Sequence, residues 1–315
     1  TVTVTPSNFT VGAYATQMIT VTADVSGLPI DAWAFAEVAL EPAVMGIPDA
    51  HFPLAVMPTA GVVPGAVEFE TRRNAGSVMV EGLQTVEVTD LTIEYFGLAA
   101  GTITTELLDQ DPTNGDPYDT ITGTFFITTT VSEGAYSLIA ETFDSSAPDI
   151  DLFVGAGDTP GAGTQLCAST TSTAVEYCEL DSPAAGTYWV LVQNWSASAA
   201  PPDTVTLSVA VVPGSDSGNM MVTGPASIPE ATLYDLQLFW DIPGMMEGDR
   251  YYGAFSIGTD PGNPGNIATI PVQINRAADD VTKTASSSEA YPGDTITYTV
   301  TVQPNVMPEP LAYMI

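Results

Sequence analysis

Apolar and polar residues alternate along most of the chain with the two-residue period of a β-strand. The run 232–240 places Leu236 and Leu238 on one face. Asp235 and Gln237 fall on the other face. Gly, Pro and Asp interrupt such runs at short intervals, which is typical of turns between strands. The pattern predicts an all-β chain of serial β-sandwich domains, fibronectin-like or jelly-roll-like, with almost no helix.

The run 187–195 departs from this pattern because both of its faces are apolar. A strand in a free-standing sandwich usually exposes one face to water. We therefore expect a neighbouring domain or another chain to cover its outward side chains, and we assign Trp189, Leu191 and Trp195 to an interface.

Two short motifs lie in the same region. The first reads D-x-D-L-[YF] and the second G-[TS]-Y-x-[VL]-x-V; the matching residues are Asp149, Asp151, Leu152 and Phe153, then Gly186, Thr187, Tyr188, Val190 and Val192. Over about 123–212 the chain resembles the bacterial pre-peptidase C-terminal domain. That resemblance implies a small β-sandwich of the kind appended to secreted peptidases.

Each end of the chain carries its own resemblance. The N-terminal region resembles the fibronectin type III-like domain that follows the catalytic domain of subtilisin-like serine peptidases, through the stretch 51–56 and through Trp33, Phe35, Val38 and Leu40. The C-terminal region resembles the start of a repeat domain of bacterial and archaeal surface proteins. Its pattern is K-T…P-G-D-x-[IV]-x-Y-T-[VI], matched by Lys283, Thr284, Pro292, Gly293, Asp294, Ile296, Tyr298, Thr299 and Val300.

Turns and composition divide the chain into five predicted units. They are a fibronectin type III-like sandwich at 1–63, a β module of uncertain pairing at 64–119, a pre-peptidase C-terminal-like sandwich at 120–213, a second fibronectin-like β unit at 214–277, and a partial surface-repeat domain at 278–315.

Charge is strongly one-sided, with 5 Lys+Arg against 38 Asp+Glu and a formal net charge of −33. Nucleic acids and anionic membranes bind proteins through Lys and Arg, so we expect neither as a partner. The surface favours divalent cations, high ionic strength or cationic partners. Its simplest interpretation is the solubility of an extracellular protein. No apolar run reaches the length of a membrane span, and we predict no membrane insertion.

Cys167 and Cys178 are the only two cysteines. They frame a short segment between two predicted strands, and we expect a disulfide across a hairpin because the chain otherwise has the features of a secreted protein. The alternative is a pair of buried thiols. A zinc site is disfavoured, because two Cys and one His do not complete a four-ligand set.

Residues for serine-peptidase chemistry are missing from the sequence. Such an enzyme needs Ser, His and Asp together; His51 is the only histidine, and no G-T-S-x-A segment occurs. We therefore predict a chain that is not an enzyme, in which His51 is a structural or exposed histidine.

Two groups of acidic residues suggest calcium, whose ligands are carboxylate and carbonyl oxygens from flexible loops. One group is Asp109, Asp111, Asn114, Asp116 and Asp119, and the other is Asp144, Asp149 and Asp151. The first group does not keep the spacing of an EF-hand loop. The alternative for both groups is Asp side chains that cap the backbone of their own turns.

The C-terminal segment predicts assembly. The run 295–302 has one apolar face, made of Ile296, Tyr298, Val300 and Val302. Some 37 residues, 279–315, are too few for a stable sandwich. A strand donated to the next copy would bury this face, and such a head-to-tail contact propagates as a filament. The alternative is that this segment packs on its own chain.

These features favour a non-catalytic structural protein of the cell surface or of an extracellular filament, which assembles as a homo-oligomer. A second interpretation is the accessory C-terminal region of a secreted subtilisin-like peptidase, serving folding, anchoring or substrate docking. A third is a carbohydrate-binding module, with Trp189 and Trp195 as the outward candidates for stacking on a sugar.

Overall fold

The computed structural model describes residues 1–25, 27–30, 32–44, 46–119, 122–278 and 281–302. Throughout these ranges the secondary structure consists of strands and turns, without helix. The predicted all-β class, built from β-sandwich domains, is confirmed. No helix of the described ranges is long and apolar enough to cross a membrane.

The strands are numbered along the chain. The first eight are β1 (Val2–Thr5), β2 (Thr20–Ala23), β3 (Ala34–Leu40), β4 (Ala50–Val56), β5 (Gly61–Val62), β6 (Val67–Thr71), β7 (Ala75–Thr85) and β8 (Thr92–Ala100). The next eight are β9 (Thr102–Leu108), β10 (Thr124–Val131), β11 (Ala135–Phe143), β12 (Asp149–Ala156), β13 (Gln165–Ser169), β14 (Tyr177–Asp181), β15 (Gly186–Ser196) and β16 (Asp203–Pro213). The last six are β17 (Met220–Thr223), β18 (Leu233–Asp241), β19 (Arg250–Gly258), β20 (Ala268–Arg276), β21 (Val281–Ala285) and β22 (Tyr298–Val302).

Strands β9 to β16 form one sandwich, called sandwich A. Its two four-stranded sheets have the orders β10-β15-β12-β13 and β14-β11-β16-β9. Apolar side chains from both sheets meet in a common core that includes Leu138, Leu152, Val190 and Leu207. All strand pairs of this unit are antiparallel, which agrees with the period-two pattern of the sequence.

A second sandwich, called sandwich B, combines two distant parts of the sequence. Strands β5 to β8 pair with β17 to β20 in sheets of order β17-β18-β7-β5 and β6-β20-β19-β8. Leu236 and Leu238 are fully buried in its core, where each contributes about 1.5–3 kcal/mol. Sandwich A is thus inserted between β8 and β17 of sandwich B. The predicted units place β5 in 1–63, β6 to β8 in 64–119 and β17 to β20 in 214–277, whereas the structure pairs these strands with each other.

The disulfide Cys167–Cys178 is present. Cys167 lies on β13 and Cys178 on β14, and these two strands belong to opposite sheets of sandwich A. The bond therefore fastens the two sheets together, instead of joining the strands of one hairpin as the spacing suggested. Disulfides persist in oxidising compartments, so the bond is consistent with an extracellular protein.

The two sandwiches pack against each other through a mixed apolar and polar surface. Its apolar part includes Ile139 and Val212 of sandwich A and Tyr252 of sandwich B. The rings of Tyr136 and Phe96 stack across it with centroids 4.6 Å apart.

A buried carboxylate lies at the centre of the same surface. Glu141 of sandwich A is 6% exposed and pairs with Arg250. It also accepts hydrogen bonds from the Tyr252 hydroxyl at 2.6 Å and from the Gln273 amide at 3.1 Å. Because all three donors come from sandwich B, this carboxylate fixes one sandwich on the other.

Three two-stranded sheets flank the two sandwiches in sequence. They pair β1 with β2, β3 with β4, and β21 with β22. Part of the predicted unit 278–315 lies outside the described residues, namely 279–280 and 303–315.

Candidate functional site

The D-x-D motif lies on the outer face of sandwich A. The even-numbered residues of β12 point into the core, so the alternation of the strand turns Asp149, Asp151 and Phe153 outward. The antiparallel register places Asp151 opposite Gln193 and Phe153 opposite Leu191 of β15. Two carboxylates, one amide and two apolar side chains are thereby collected on one face.

The polar loop 109–119 folds back over this outer face. Its Tyr118 ring packs edge-on against Trp189 and tilted against Phe153, with centroids 6.0 Å apart in both cases. The Tyr118 hydroxyl donates a hydrogen bond to the Gln165 side chain at 2.5 Å. One aromatic residue in a polar loop therefore closes the apolar part of the face.

Trp189 is fully buried and Leu191 is 3% exposed, whereas Trp195 is 41% exposed. The Trp189 indole nitrogen donates to the Thr164 hydroxyl at 3.0 Å. A Cβ at Gly155 would lie 2.1 Å from the Trp189 ring, so only glycine permits this packing. The cover over Trp189 and Leu191 is the chain's own loop, not a separate domain or chain.

A cleft of about 510 Å³ remains beside the covered part, between the loop and the end of the sheet. Asp149, Asp151 and Gln193 form its polar wall, and Trp195 lines it as well. The segment 170–172, with two threonines and a serine, completes the lining. This cleft brings together the second predicted acidic group, without Asp144, and one of the predicted outward tryptophans.

The hydrogen bonds of Gln193 leave an acceptor unused. Its amide nitrogen donates to Asp111 Oδ2 at 2.6 Å and to the Asn114 carbonyl at 3.2 Å. Its Oε1 atom is buried and accepts no hydrogen bond from the described residues, and the same is true of Asp149 Oδ1. A buried polar atom without a partner is costly, so the cleft has an excess of acceptors.

The carboxylates of the cleft lie in an unfavourable electrostatic environment. Burial, followed by the negative charges of Asp149 and Glu176, raises the pKa of Asp151 to about 7. Burial and Glu176 also raise the pKa of Asp149. Glu176 is 1% exposed and accepts hydrogen bonds from Ser169 and Thr171. A cationic ligand would relieve the repulsion among these carboxylates.

The acidic residues of the loop 109–119 mainly hold the loop in shape. Asp111 is buried and accepts a hydrogen bond from the Thr113 backbone at 2.8 Å. Asp116 accepts one from the Tyr118 backbone at 3.1 Å, and Asp119 accepts one from the Thr113 hydroxyl at 2.7 Å. The bonds of Asp111 and Asp116 are the turn-capping bonds that were the alternative to calcium, and the bond of Asp119 joins two side chains of the loop.

Of the other predicted ligands, Asn114 lines the cleft, whereas two lie apart from it. Asp109 and Asp144 are exposed, and Asp144 lines a separate hollow beside Arg250. Within the ranges that the structure describes, no group of three or more His, Cys, Asp or Glu side chains is arranged to hold a metal ion. The calcium site stays a prediction.

His51 lies on β4, where its Nδ1 contacts the Glu37 carboxylate of the neighbouring strand β3. That hydrogen bond, together with the negative charge of Glu37, raises the pKa of His51. The imidazole is exposed, and its contact belongs to a two-stranded sheet.

Gln193 and Glu176 were not predicted from the sequence. Gln193 is the first polar residue after an apolar run in β15, and that change of character is the one signal that could have marked it. Glu176 has no such signal, because its burial depends on the folding of the segment between β13 and β14.

Comparison with known proteins adds little to the geometry. No family model matches the chain, and no curated protein matches it. The chain is similar to the crystal structure of tripeptidyl peptidase 2 (TPP II), with 8% identity, 78% of this chain and 26% of that chain covered, and a TM-score of 0.28. It is also similar to the M60 catalytic domain with the CBM51-1 and CBM51-2 domains from Clostridium perfringens ZmpB, with 10% identity, 84% and 28% covered, and a TM-score of 0.22.

The chain therefore spans little more than a quarter of the length of these two structures. Similarity this weak does not identify a family. The resemblances to pre-peptidase C-terminal, fibronectin type III-like and surface-repeat domains stay predictions.

Proposed function

We propose that this chain is a non-catalytic, extracellular structural protein that assembles with neighbouring copies by β-strand addition. The observation that carries the proposal is the pair of incomplete sheets β3–β4 and β21–β22, which flank the packed sandwiches and expose apolar side chains. A sheet of two strands is marginally stable alone, and a third strand with an apolar face stabilises it. Strand addition from a neighbour supplies both.

The sheet β21–β22 exposes the apolar side chains that the sequence singled out. Tyr298 is 56% exposed, Val300 59% and Val302 51%, and Ile296 is half-buried just before the strand. The Lys283 ammonium lies 4.2 Å from the centre of the Tyr298 ring. These alternate residues form an apolar row along one strand, which is the surface that an added strand or a facing sheet would bury.

The sheet β3–β4 offers a second surface of the same kind. Phe35 is 76% exposed and Trp33, just before the strand, is 61% exposed, whereas Phe52, which is 48% exposed, lies on the opposite face of the sheet beside Val38. The rings of Trp33 and Phe35 stack with centroids 6.2 Å apart. Exposed aromatic groups of this size mark interaction surfaces more often than free surface.

The central part supports a load-carrying role. Sandwiches A and B are joined by the Glu141 cluster and by the apolar contacts around Tyr252, and a disulfide fastens the two sheets of sandwich A. An acidic surface keeps such a protein soluble outside the cell. Two joined sandwiches, flanked by the incomplete sheets β3–β4 and β21–β22, are suited to assembly into a repeating polymer.

The size of the particle tests the proposal, measured by light scattering over a range of protein concentrations. We expect the chain to form oligomers, and Val300→Lys to reduce their size because it places a charge in the apolar row. Val175→Lys is the matched control. Val175 is 65% exposed but lies in the segment between β13 and β14, so this variant should assemble normally.

A deletion of 279–315 separates the two ends, because it removes β21–β22 and leaves β3–β4 intact. Circular dichroism would show that the sandwiches of each variant remain folded. A full chain that is monomeric at every concentration contradicts the proposal. So does a Val300→Lys variant, or a deletion variant, that polymerises as the full chain does.

A further inference from the structure

The polar wall of the cleft on sandwich A, formed by Asp149, Asp151 and Gln193, presents mainly hydrogen-bond acceptors. Asp149 and Asp151 are acceptors when ionised, and Gln193 contributes its Oε1 atom because both bonds of its amide nitrogen are directed elsewhere. Gln193 is fully buried and Asp151 is 8% exposed. Among the described residues, neither Gln193 Oε1 nor Asp149 Oδ1 receives a donor. A ligand that complements this wall carries several hydrogen-bond donors.

The aromatic residues that line the cleft indicate which hydrogen-bond-donating group of a ligand would fit it. Trp195 and Phe153 both line the cleft, and Trp195 keeps 41% of its surface exposed. A planar guanidinium group stacks on aromatic faces and presents five N–H donors in a fixed fork. A calcium ion needs oxygen ligands and gains nothing from an aromatic wall.

We propose that this cleft binds the guanidinium group of an arginine side chain from a basic partner protein. Its N–H groups donate hydrogen bonds to Asp151, Asp149 and Gln193 Oε1. Its face lies against Trp195. This site is separate from the incomplete sheets at β3–β4 and β21–β22, so either proposal can fail without the other.

Charge complementarity makes the partner a different chain. This protein has only 5 Lys+Arg residues and a net charge of −33. Of its four arginines, Arg72 is 7% exposed and Arg276 9%, Arg250 is engaged with Glu141, and Arg73 is exposed. A second copy therefore offers little positive charge to this cleft, whereas a basic protein is attracted over long distances at low salt.

Calorimetric titration of the full chain with a short peptide, in which one arginine is the only charged residue, tests the site. The same peptide with citrulline is the matched probe, because citrulline keeps the shape but replaces one NH2 group by a carbonyl oxygen, which removes the charge and two N–H donors. Charge-assisted hydrogen bonds predict that the arginine peptide binds about tenfold or more tightly than the citrulline peptide. A lysine peptide should bind less tightly than the arginine peptide, since a point charge cannot form the fork.

Variants locate the binding. Asp151→Asn should weaken arginine-peptide binding about tenfold or more, and Trp195→Ala should weaken it as well. Asp158→Asn removes the same charge from an exposed position of sandwich A and should leave the affinity unchanged. Melting temperatures show that each variant is folded, and the two cleft variants test the same prediction independently.

Several results would overturn the proposal. Equal affinities for the arginine and citrulline peptides would show that the charge is not recognised. Equal losses of arginine-peptide affinity in Asp151→Asn and Asp158→Asn would show that binding depends only on the overall negative charge of the protein. Binding of calcium chloride or of a neutral methyl glycoside that depends on Asp151, without arginine-peptide binding, would assign the cleft to a metal ion or to a sugar.

Discussion

Asp151 is a carboxylate that the alternation of β12 places on a face already covered by the loop 109–119. Burial makes the ionisation of Asp151 costly, and the negative charges of Asp149 on the same strand and of Glu176 in the segment after β13 add to this cost. The motif in the sequence marked Asp149 and Asp151. The motif did not identify Gln193, because the cross-strand register that brings Gln193 opposite Asp151 cannot be deduced from the sequence of either strand alone.

Substitution of Asp151 by Asn should change stability in a pH-dependent way. The pKa of Asp151 is raised from 3.8 to about 7 in the folded protein, so its ionisation destabilises the fold. This penalty is absent below about pH 4, grows up to about pH 7, and is constant above. Asp151→Asn should therefore be more stable than the wild type at about pH 8, on the order of a few kcal/mol. The difference should shrink towards about pH 4.

Urea unfolding at several pH values measures this difference. Asp158→Asn, at an exposed position, serves as the control and should show little change at any pH. A variant Asp151→Asn that is less stable than the wild type at alkaline pH, or a difference that does not depend on pH, would contradict the assigned environment.

At the scale of single elements, the sequence predicted strands well and their partners poorly. Cys167 and Cys178 suggested a hairpin because 11 positions separate them, yet β13 and β14 pair in different sheets. Similarly, Trp189 and Leu191 suggested a covering domain. Instead, the loop 109–119, whose residues are almost all polar, covers these side chains with its Tyr118 ring. Local patterns give the period of an element, whereas its neighbours depend on contacts distant in sequence.

The disulfide should stabilise sandwich A by restricting the unfolded chain. The double variant Cys167→Ser and Cys178→Ser should lose about 3 kcal/mol of the free energy of unfolding in the chain-entropy model. Urea unfolding of the oxidised wild type and of the variant measures the loss. Dithiothreitol should destabilise the wild type by a similar amount and leave the variant unaffected. A wild type whose unfolding is insensitive to dithiothreitol would contradict the prediction.

At the scale of the whole molecule, the insertion of sandwich A into sandwich B could not be predicted from the sequence. Strands β7 and β18 each show clear alternation, but more than a hundred residues separate these partners. The alternation says that each strand needs a partner and does not say which one. The chain passes from sandwich B to sandwich A at residue 101 and returns at 214–219, and both connections contain the turn residues of an ordinary linker. A serial arrangement of units was therefore the simpler prediction.

The insertion makes the two sandwiches depend on each other, and Glu141 is the residue that should reveal it. Its carboxylate binds Arg250, Tyr252 and Gln273 across the interface. Glu141→Ala leaves the Arg250 charge largely buried without a partner, which costs about 3–5 kcal/mol. We expect calorimetric unfolding of this variant to separate into two transitions, where the wild type shows one.

Two further variants make this test specific. Glu141→Gln keeps an acceptor for Tyr252 and removes the charge, so its loss of stability should be intermediate. Glu106→Ala removes an exposed carboxylate from the edge strand β9 of the same sandwich, and such surface changes usually stay within about 0.5 kcal/mol. If Glu141→Ala and Glu106→Ala lose equal stability, the buried cluster does not couple the sandwiches. If only Glu141→Ala separates the transitions, the carboxylate holds the two together as one cooperative unit.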